Sequence, residues 1–282
     1  MNLIIKDNIS LDEKISFFDN HRDQFHVVAD FDGTLNHYFD STGEKTQSII
    51  SLLYNHNILD DDYSKQAQWF YDHYVKIEHN TDLSMETRQA AMEERRTKHK
   101  ELLMRKWLNY HHLEKITSMD KIVMRSGTDI LLQKFYEYNI PVIIFSASGV
   151  GVDSIWLLLK YRWLDFPNIH ILSNKLYRDE HWTMIGYSKP IIHSLNKTES
   201  VLWNNDEYKT IQDQLKNRPH AIVMWDGLHD AEMVDKKKWR TILSIWLCND
   251  KVEERIEKYS DAFDVVITHD GGFKEVIEYI GL

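Results

Sequence analysis

Short apolar runs alternate with amphipathic segments along most of this chain. Residues 9–20 place Ile15, Phe17 and Phe18 at helical spacing, and residues 25–29 predict a strand that ends in the apolar run 27–29. The alternation returns later and predicts helices near 128–138, 152–161 and 206–216, strands at 141–145, 169–173, 221–225, 241–247 and 265–268, a hairpin at 176–188, and a C-terminal helix. Continuous apolar strands alternating with helices are typical of parallel sheets covered on both faces. We therefore expect an α/β fold with a Rossmann-like, doubly wound parallel sheet.

Residues 36–117 interrupt this alternation. The segment has no proline, Gly43 is its only glycine, and it is rich in Glu, Lys, Arg, Gln and Met, so it predicts a helical insertion. We expect a core domain of residues 1–35 and 118–282 and an inserted helical domain of residues 36–117. Within the insertion, residues 92–106 mix both charge signs, which predicts a solvated helix face rather than a binding patch.

Amino-acid composition and net charge limit the classes of partner that the protein is expected to bind. The 282 residues are 43% apolar and 28% charged, which is typical of globular proteins, and the formal charge is −10. That charge argues against nucleic acid or an anionic membrane as a partner, but not against a small phosphate ester beside a bound cation. Cys248 is the only cysteine, so no disulfide forms within the chain and a reducing, cytoplasmic location is expected. We expect neither a secretory signal nor a membrane span.

The hexapeptide DFDGTL, residues 30–35, follows the apolar strand at 25–29. Aspartate is depleted in strands, and a buried carboxylate without a partner is costly, so Asp30 and Asp32 need an explanation. One carboxylate could attack phosphorus while the other handles a proton, with a hard cation relieving their repulsion. The alternative is an aspartate pair that caps a turn.

The ends of the other predicted strands support the chemical interpretation. Residues 146–149 (SASG) and 226–230 (DGLHD) follow two of them, and a lysine lies between these segments in the sequence LNKTE, residues 195–199. Because ligands bind beyond the carboxyl ends of parallel strands, these groups are expected to meet DFDGTL. Phosphoryl transfer needs such a set: a nucleophile, a proton carrier, a metal cage and cationic groups. Taken singly, Ser146 could be a helix N-cap, Lys197 a surface lysine, and Asp226 a turn residue.

These four segments, in this order, resemble the phosphatases of the haloacid dehalogenase (HAD) superfamily. The runs IPVIIFSAS, NIHILSN, LNKTES and WDGLHDAEM, and residues 247–268, are similar to the eukaryotic-type cytosolic pyrimidine 5′-nucleotidases, a family that includes a 7-methylguanosine monophosphate nucleotidase. The resemblance extends from Asp30 to the C-terminus and is thin within residues 36–117. It implies a HAD-like core with an inserted helical cap of the C1 type.

The resemblance also implies roles for individual residues. Asp30 is the nucleophile that forms a phospho-aspartate, and Asp32 is the general acid and then the general base. Thr34 supports the phosphate by hydrogen bonding. Ser146, with the amide of Ala147, binds a phosphoryl oxygen.

A lysine and a metal complete the implied set. Lys197 neutralises the phosphate and Asp30, with Lys189 as the alternative. Mg²⁺ is bound by Asp30, the backbone carbonyl of Asp32 and Asp226, while Asp230 acts through water or positions Lys197. Mg²⁺ suits a few carboxylates plus water and phosphate oxygens. His229 is an alternative proton carrier.

The inserted segment is expected to select the leaving group. Trp69 and His73 lie in an aromatic run that resembles the family's cap helix, where a base could stack, although cap-to-core packing is the alternative. The base-selecting glutamate of the family has no clear counterpart, and the acids nearest to its place begin at Asp60.

The second and fourth segments depart from the family pattern. SASGVGVD stands for SAGxGD, and WDGLHD stands for GDSxGD. We predict a Mg²⁺-dependent phosphomonoesterase that acts through a phospho-aspartate, most simply on nucleoside 5′-monophosphates. The alternatives are another small ester, such as a sugar phosphate or phosphoserine, and a degenerate fold used as a binding module. The oligomeric state is left open.

Overall fold

The protein is described by a computed structural model that covers residues 3–5, 9–227, 238–260 and 263–282. Within these residues, seven strands form one sheet in the order β1-β9-β8-β7-β2-β3-β4, and β5 and β6 form a separate hairpin. The strands are β1 Leu3–Ile5, β2 Phe25–Ala29, β3 Val142–Phe145, β4 Ile169–Leu172, β5 Leu176–Arg178, β6 Met184–Tyr187, β7 His220–Trp225, β8 Thr241–Cys248 and β9 Val265–Thr268.

The predicted parallel sheet is confirmed, apart from one edge. Strands β2, β3, β4, β7, β8 and β9 pair in parallel, whereas β1 pairs antiparallel with β9. The sequence did not predict β1, because three residues are too few to show a period. Strand β2 lies between β3 and β7. The chain segments that follow these three parallel strands therefore emerge side by side at the carboxyl ends of the strands, which we call the carboxyl edge of the sheet.

The α-helices in the described residues are α1 Ile9–Asn20, α2 Ile49–Asn55, α3 Asp61–Glu78, α4 Met85–Arg105, α5 Tyr110–Thr117, α6 Thr128–Glu137, α7 Gly151–Tyr161, α8 Ser200–Trp203, α9 Lys209–Leu215, α10 Val252–Ser260 and α11 Lys274–Tyr279. The helix predicted at 206–216 is divided, because a 3₁₀ turn at Asp206–Tyr208 precedes α9. None of the helices so described has the length and apolar character needed to cross a membrane.

Both faces of the central strands are buried, which is why these strands are mostly apolar. Side chains of β2 alternate between two hydrophobic cores: Val27 and Ala29 belong to one, and Val28 belongs to the other. Trp225 and Trp246 contribute the largest fully buried side chains to the core that contains Val28. Helices on both faces therefore enclose the sheet, as in a doubly wound fold.

Residues 36–117 contain helices α2 to α5, and helical structure begins only at Ile49. The preceding residues run irregularly, with isolated bridges of Asn36 to Met124 and of Phe39 to Lys45. Helix α4 begins at a Ser84 cap, whose hydroxyl accepts a hydrogen bond from the amide of Thr87 at 3.2 Å. The division of the chain into a core and a cap at these boundaries stays a prediction.

Helix α4 presents the solvated face that its mixed charges predict, where the exposed Glu94 and Lys98 pair at 2.6 Å, but its other side is buried. Arg88 and His99 are buried, and the Arg88 guanidinium donates to the backbone carbonyl of Glu78 at 2.6 Å. Arg96 reaches the backbone of the loop after β3. The predicted solvated face is therefore present, and the opposite side of the helix carries charged groups that lie against α3 and the loop after β3.

A buried histidine in β2 makes stability depend on pH. Burial lowers the pKa of His26 from 6.5 to about 3. Its Nδ1 pairs with the carbonyl of Arg218 at 3.1 Å, and within the described residues its buried Nε2 has no hydrogen-bond partner. The folded protein therefore holds His26 in its neutral form. The unfolded chain binds a proton more readily, so this contribution to stability is present above pH 6.5 and is lost as pH falls toward 3.

We expect His26 to account for about 2 kcal/mol of the stability lost between pH 7 and pH 5, at about 1.4 kcal/mol per pH unit. His26→Asn keeps a donor near the Nδ1 position but cannot take up a proton. Urea unfolding at both pH values should show a pH dependence smaller by about that amount in the variant. Equal pH dependence in the two proteins would mean that His26 is already charged, or freely chargeable, in the fold.

Candidate active site

The loop after β2 holds the DFDGTL aspartates at the middle of the carboxyl edge of the sheet, between the loops that follow β7 and β3. The amide of Asp30 donates to the carbonyl of Met224 at 2.9 Å, which continues the pairing of β2 with β7. Gly33 has φ +73, and a Cβ there would collide with the carboxylate of Asp226. Only glycine allows this turn and this close approach together. The loop and Asp226 therefore lie against each other.

Asp30 and Lys197 form a buried ion pair. The Lys197 Nζ lies 2.5 Å from Asp30 Oδ1, and the two residues are 5% and 8% exposed. Asn196 shapes the turn before the lysine, since its amide nitrogen donates to the carbonyl of Ile191 at 2.8 Å. Lys189, the alternative lysine, is exposed and lines a separate surface groove. The structure thus brings Lys197, and not Lys189, to Asp30.

The loop after β3 adds hydroxyl and amide groups. Ser146 is buried, and its Oγ accepts a hydrogen bond from the amide of Ser148 at 3.2 Å. It is not a helix N-cap, because α7 begins at Gly151 and its N-cap residue is Val150. Ala147 lines the same cavity as Asp30 and Lys197. Ser146 and Ala147 therefore line the cavity that contains the ion pair.

Thr34 is placed below the loop rather than in the cavity. It is fully buried, and within the described residues its Oγ1 has no hydrogen-bond partner. It is absent from the residues that line the cavities described below. The structure does not bring Thr34 to the position expected of a phosphate contact.

Arg125 is a site residue that sequence reasoning missed. Its fully buried guanidinium donates to the backbone carbonyls of Gly33 at 2.6 Å and Thr34 at 2.7 Å, and it pairs with Asp270 at 3.1 Å. These contacts hold the DFDGTL loop from beneath. No local pattern in the sequence indicates a buried arginine, because its partners are carbonyls and side chains distant along the chain.

Two adjoining cavities open beside the loop. The inner one, about 230 Å³, contains the Asp30–Lys197 pair together with Ser146 and Ala147, and the outer one, about 470 Å³, contains Asp226. They share a wall formed by Asp32, Ser48, Tyr54 and Tyr71. Helix α4 contributes three further groups to the inner cavity: Arg95, Arg96 and His99. The inner cavity thus combines a carboxylate, several cations and an aromatic wall.

Helix α3 presents a different face to these cavities from the one expected. Ala67 and Tyr71, one helical turn apart, line the inner cavity. Trp69 is 54% exposed and stacks on His73 with ring centroids 4.9 Å apart, on another side of the helix. Asp60 caps α3 and pairs with Lys106. The structure does not bring Asp60, Trp69 or His73 to the lining of these cavities, and Tyr71 lies there instead.

Asp32 lies on the wall shared by the two cavities. Burial raises the pKa of its carboxyl, against the opposing effect of the cations Lys197, Arg96 and Lys45. A raised pKa favours the protonated form, which can donate a proton. Asp30, two residues earlier, is instead paired with a cation. The two aspartates of DFDGTL therefore have different electrostatic surroundings.

The carboxylate and carbonyl oxygens at the carboxyl edge are the type of ligand that Mg²⁺ binds. Asp30 and Asp226 follow the adjacent strands β2 and β7, and the loop that carries Asp32 lies against the Asp226 carboxylate. Mg²⁺ prefers such hard oxygen ligands. Asp230 and His229 fall outside the described residues. Among the residues that are described, no group of three acidic, histidine or cysteine side chains is arranged to hold a metal.

The parallel sheet, with Asp30 and Asp226 at the carboxyl ends of its neighbouring strands β2 and β7, defines a HAD-like α/β hydrolase. Cytosolic 5′-nucleotidase IIIB bound to cytidine superposes with a TM-score of 0.85 and 25% identity, covering 99% of this chain and 92% of that one. A phospho-aspartyl intermediate analogue of phosphoserine phosphatase superposes with a TM-score of 0.52 and 15% identity, covering 91% and 98%, which shows a shared fold.

Sequence comparisons show the family to which the chain belongs. The model for pyrimidine 5′-nucleotidase (UMPH-1) matches residues 33–280. The 7-methylguanosine phosphate-specific 5′-nucleotidase of Rattus norvegicus is 30% identical over 249 residues, covering 88% of this chain and 81% of that protein. The Drosophila melanogaster enzyme of the same name is 28% identical over 250 residues, covering 88% and 76%. The chain belongs to the pyrimidine 5′-nucleotidase (UMPH-1) family, and it is a phosphoric monoester hydrolase.

Proposed function

We propose that this protein is a Mg²⁺-dependent nucleotidase that hydrolyses nucleoside 5′-monophosphates through a phosphorylated Asp30. The observation that carries the proposal is the buried Asp30–Lys197 pair at the end of β2, in a cavity that also contains Ser146 and Ala147. The names of the relatives support the substrate class, since they are specific for 7-methylguanosine phosphate or were solved with cytidine bound.

The first half of the reaction uses the two aspartates in turn. An Asp30 carboxylate oxygen attacks phosphorus, and the bond between phosphorus and the ester oxygen breaks. Asp32 gives its proton to the departing nucleoside oxygen, which its raised pKa favours. In the second half, Asp32 takes a proton from water, the water oxygen attacks phosphorus, and the bond to Asp30 breaks. Inorganic phosphate leaves and both carboxylates return to their starting states.

Three groups are proposed to hold the phosphoryl oxygens in the inner cavity. Lys197 supplies positive charge beside Asp30, and the Ser146 hydroxyl and the Ala147 amide donate hydrogen bonds. Asp30, Asp226 and the carbonyl of Asp32 would hold Mg²⁺, with Asp230 as a further acid. The ion, when bound, offsets the charge of the phosphoryl oxygens.

We also propose that residues 36–117 act as a cap over the phosphate site. Helices α3 and α4 contribute Tyr71 and His99 to the inner cavity, so the leaving group would lie between the helices and the sheet edge. The exposed Tyr71 ring offers an aromatic surface there on which a base can stack. A cytoplasmic location agrees with the cytosolic 5′-nucleotidase among the solved relatives.

A substrate panel with metal removal tests this function. We expect nucleoside 5′-monophosphates to be hydrolysed with kcat/KM at least about tenfold above sugar phosphates and phosphoserine, a difference of about 1.4 kcal/mol in transition-state binding. EDTA should reduce the rate to background, and excess Mg²⁺ should restore it. An aryl phosphate measures the chemistry independently of base recognition.

Each alternative predicts a different pattern in the same panel. Equal kcat/KM for nucleotides and sugar phosphates would contradict the nucleotidase assignment while leaving the phosphatase chemistry in place. Background rates on every ester, the aryl phosphate included, would instead favour a binding module. Full activity in EDTA would contradict the metal requirement.

A further inference from the structure

Arg96 of helix α4 reaches the loop that follows β3. Its Nη2 donates to the carbonyl of Ala147 at 2.8 Å, so a residue of the inserted helices touches the backbone of the phosphate loop. Gly149 makes this approach possible, because a Cβ there would lie 2.6 Å from Arg96 Nη1. The guanidinium therefore lies against the same loop as Ser146 and lines the inner cavity.

Asp32 and Glu78 lie near enough to favour the charge of Arg96, but in the described structure neither forms an ion pair with it. Within the described residues, no carboxylate oxygen lies within 4.0 Å of its guanidinium. By contrast, the guanidinium of the neighbouring Arg95 forms an ion pair with the carboxylate of Glu78 at 3.4 Å. Burial lowers the pKa of Arg96 to about 10, so the side chain is still charged at neutral pH. A largely buried cation without an anionic partner is costly, which indicates that its partner is a ligand.

The two other cations that line the inner cavity, Arg95 and Lys197, already have carboxylate partners. Lys197 pairs with Asp30 at 2.5 Å, so the charge of the lysine is balanced by the nucleophile itself. A phosphate monoester brings nearly two negative charges into this cavity at neutral pH. Arg96 can meet part of that charge, since a guanidinium presents several donors in a planar fork and one of its arms is used by Ala147.

We propose that Arg96 is a substrate-binding residue whose guanidinium contacts a phosphoryl oxygen of the bound ester, alongside Lys197 and the Ser146–Ala147 loop. The inference rests on the proposed function and deepens it. Because Arg96 belongs to α4 and Ser146 and Ala147 follow β3, a phosphate held by all three would link helix α4 to the loop after β3.

The test compares Arg96→Met with Lys98→Met, which removes a charge from an exposed position on the same helix. The probe is inorganic phosphate as a competitive inhibitor. Loss of a charge-assisted hydrogen bond should raise its inhibition constant about 10- to 100-fold in Arg96→Met, and by less than about twofold in Lys98→Met. KM for an aryl phosphate and for a nucleoside monophosphate should rise by the same factor, and added guanidinium should restore part of the affinity.

Two outcomes would overturn the inference while the wild-type enzyme remains a phosphatase. The first is an unchanged inhibition constant for phosphate in a folded Arg96→Met protein. The second is a loss confined to esters whose leaving group carries its own negative charge, which would place Arg96 on the leaving group. If Arg96→Met does not fold, phenylglyoxal modification of the wild type decides, because phosphate must slow modification of Arg96. Absence of hydrolysis by the wild type would instead overturn the proposed function.

Discussion

Asp30→Asn is expected to reduce kcat by about 10⁴-fold or more, because the amide cannot form the phospho-aspartate and what remains is the background of the bound ester. The side chains are nearly equal in size, so the buried site around Lys197 should keep its shape. The measurement is aryl phosphate hydrolysis in Mg²⁺, with circular dichroism to confirm that the variant is folded.

The matched control is Asp165→Asn, which makes the same chemical change at an exposed position outside the cavities. It should keep wild-type kcat. Acid quenching of the wild type during turnover, followed by peptide mass spectrometry, should find phosphate on the peptide that contains Asp30. A variant that retains more than about one per cent of wild-type kcat would contradict the assignment of Asp30 as nucleophile.

Arg125→Met is expected to lower the free energy of unfolding by about 3–5 kcal/mol, the range found when one partner of a buried charged pair is removed. The substitution leaves the carbonyls of Gly33 and Thr34 without their donor and leaves Asp270 without this cation. Urea unfolding measures the loss. Activity should also fall at temperatures where the variant is folded, because the loop that carries Asp32 loses its support.

Two variants separate this role from a general effect of charge. Arg105→Met removes an arginine from an exposed position at the end of α4 and should change stability by less than about 0.5 kcal/mol. Arg125→Lys keeps the charge but cannot reach several carbonyls at once, so it should recover only part of the loss. Wild-type stability in Arg125→Met would show that the loop does not depend on this network.

Much of the core fold follows from the sequence. The apolar runs that become β2, β3, β7 and β8 are long enough to identify strands buried on both faces, and the structure confirms them. Strand β1 escaped prediction because an edge strand of three residues has neither the length nor the burial that makes a pattern.

The inserted helices show where sequence reasoning stops. Their existence is predicted by composition, but the side of each helix that meets the cavity is not. Trp69 and Tyr71 are neighbours in one aromatic run, yet only Tyr71 lines the cavities. The choice depends on how α3 packs against α2 and α4, and a run of three consecutive aromatic residues does not indicate which of them faces the cavity.

By itself, the sequence determined the parallel sheet, the place of DFDGTL at its edge and the class of chemistry, because these depend on local periodicity and on residues that occur in a fixed order. The tertiary structure decided which lysine meets Asp30, that Arg125 holds the loop from beneath, and that Arg96 faces the cavity rather than water. These are contacts between segments far apart in the chain. A charged side chain is buried when distant groups offer it partners, and that information is not contained in its own neighbourhood.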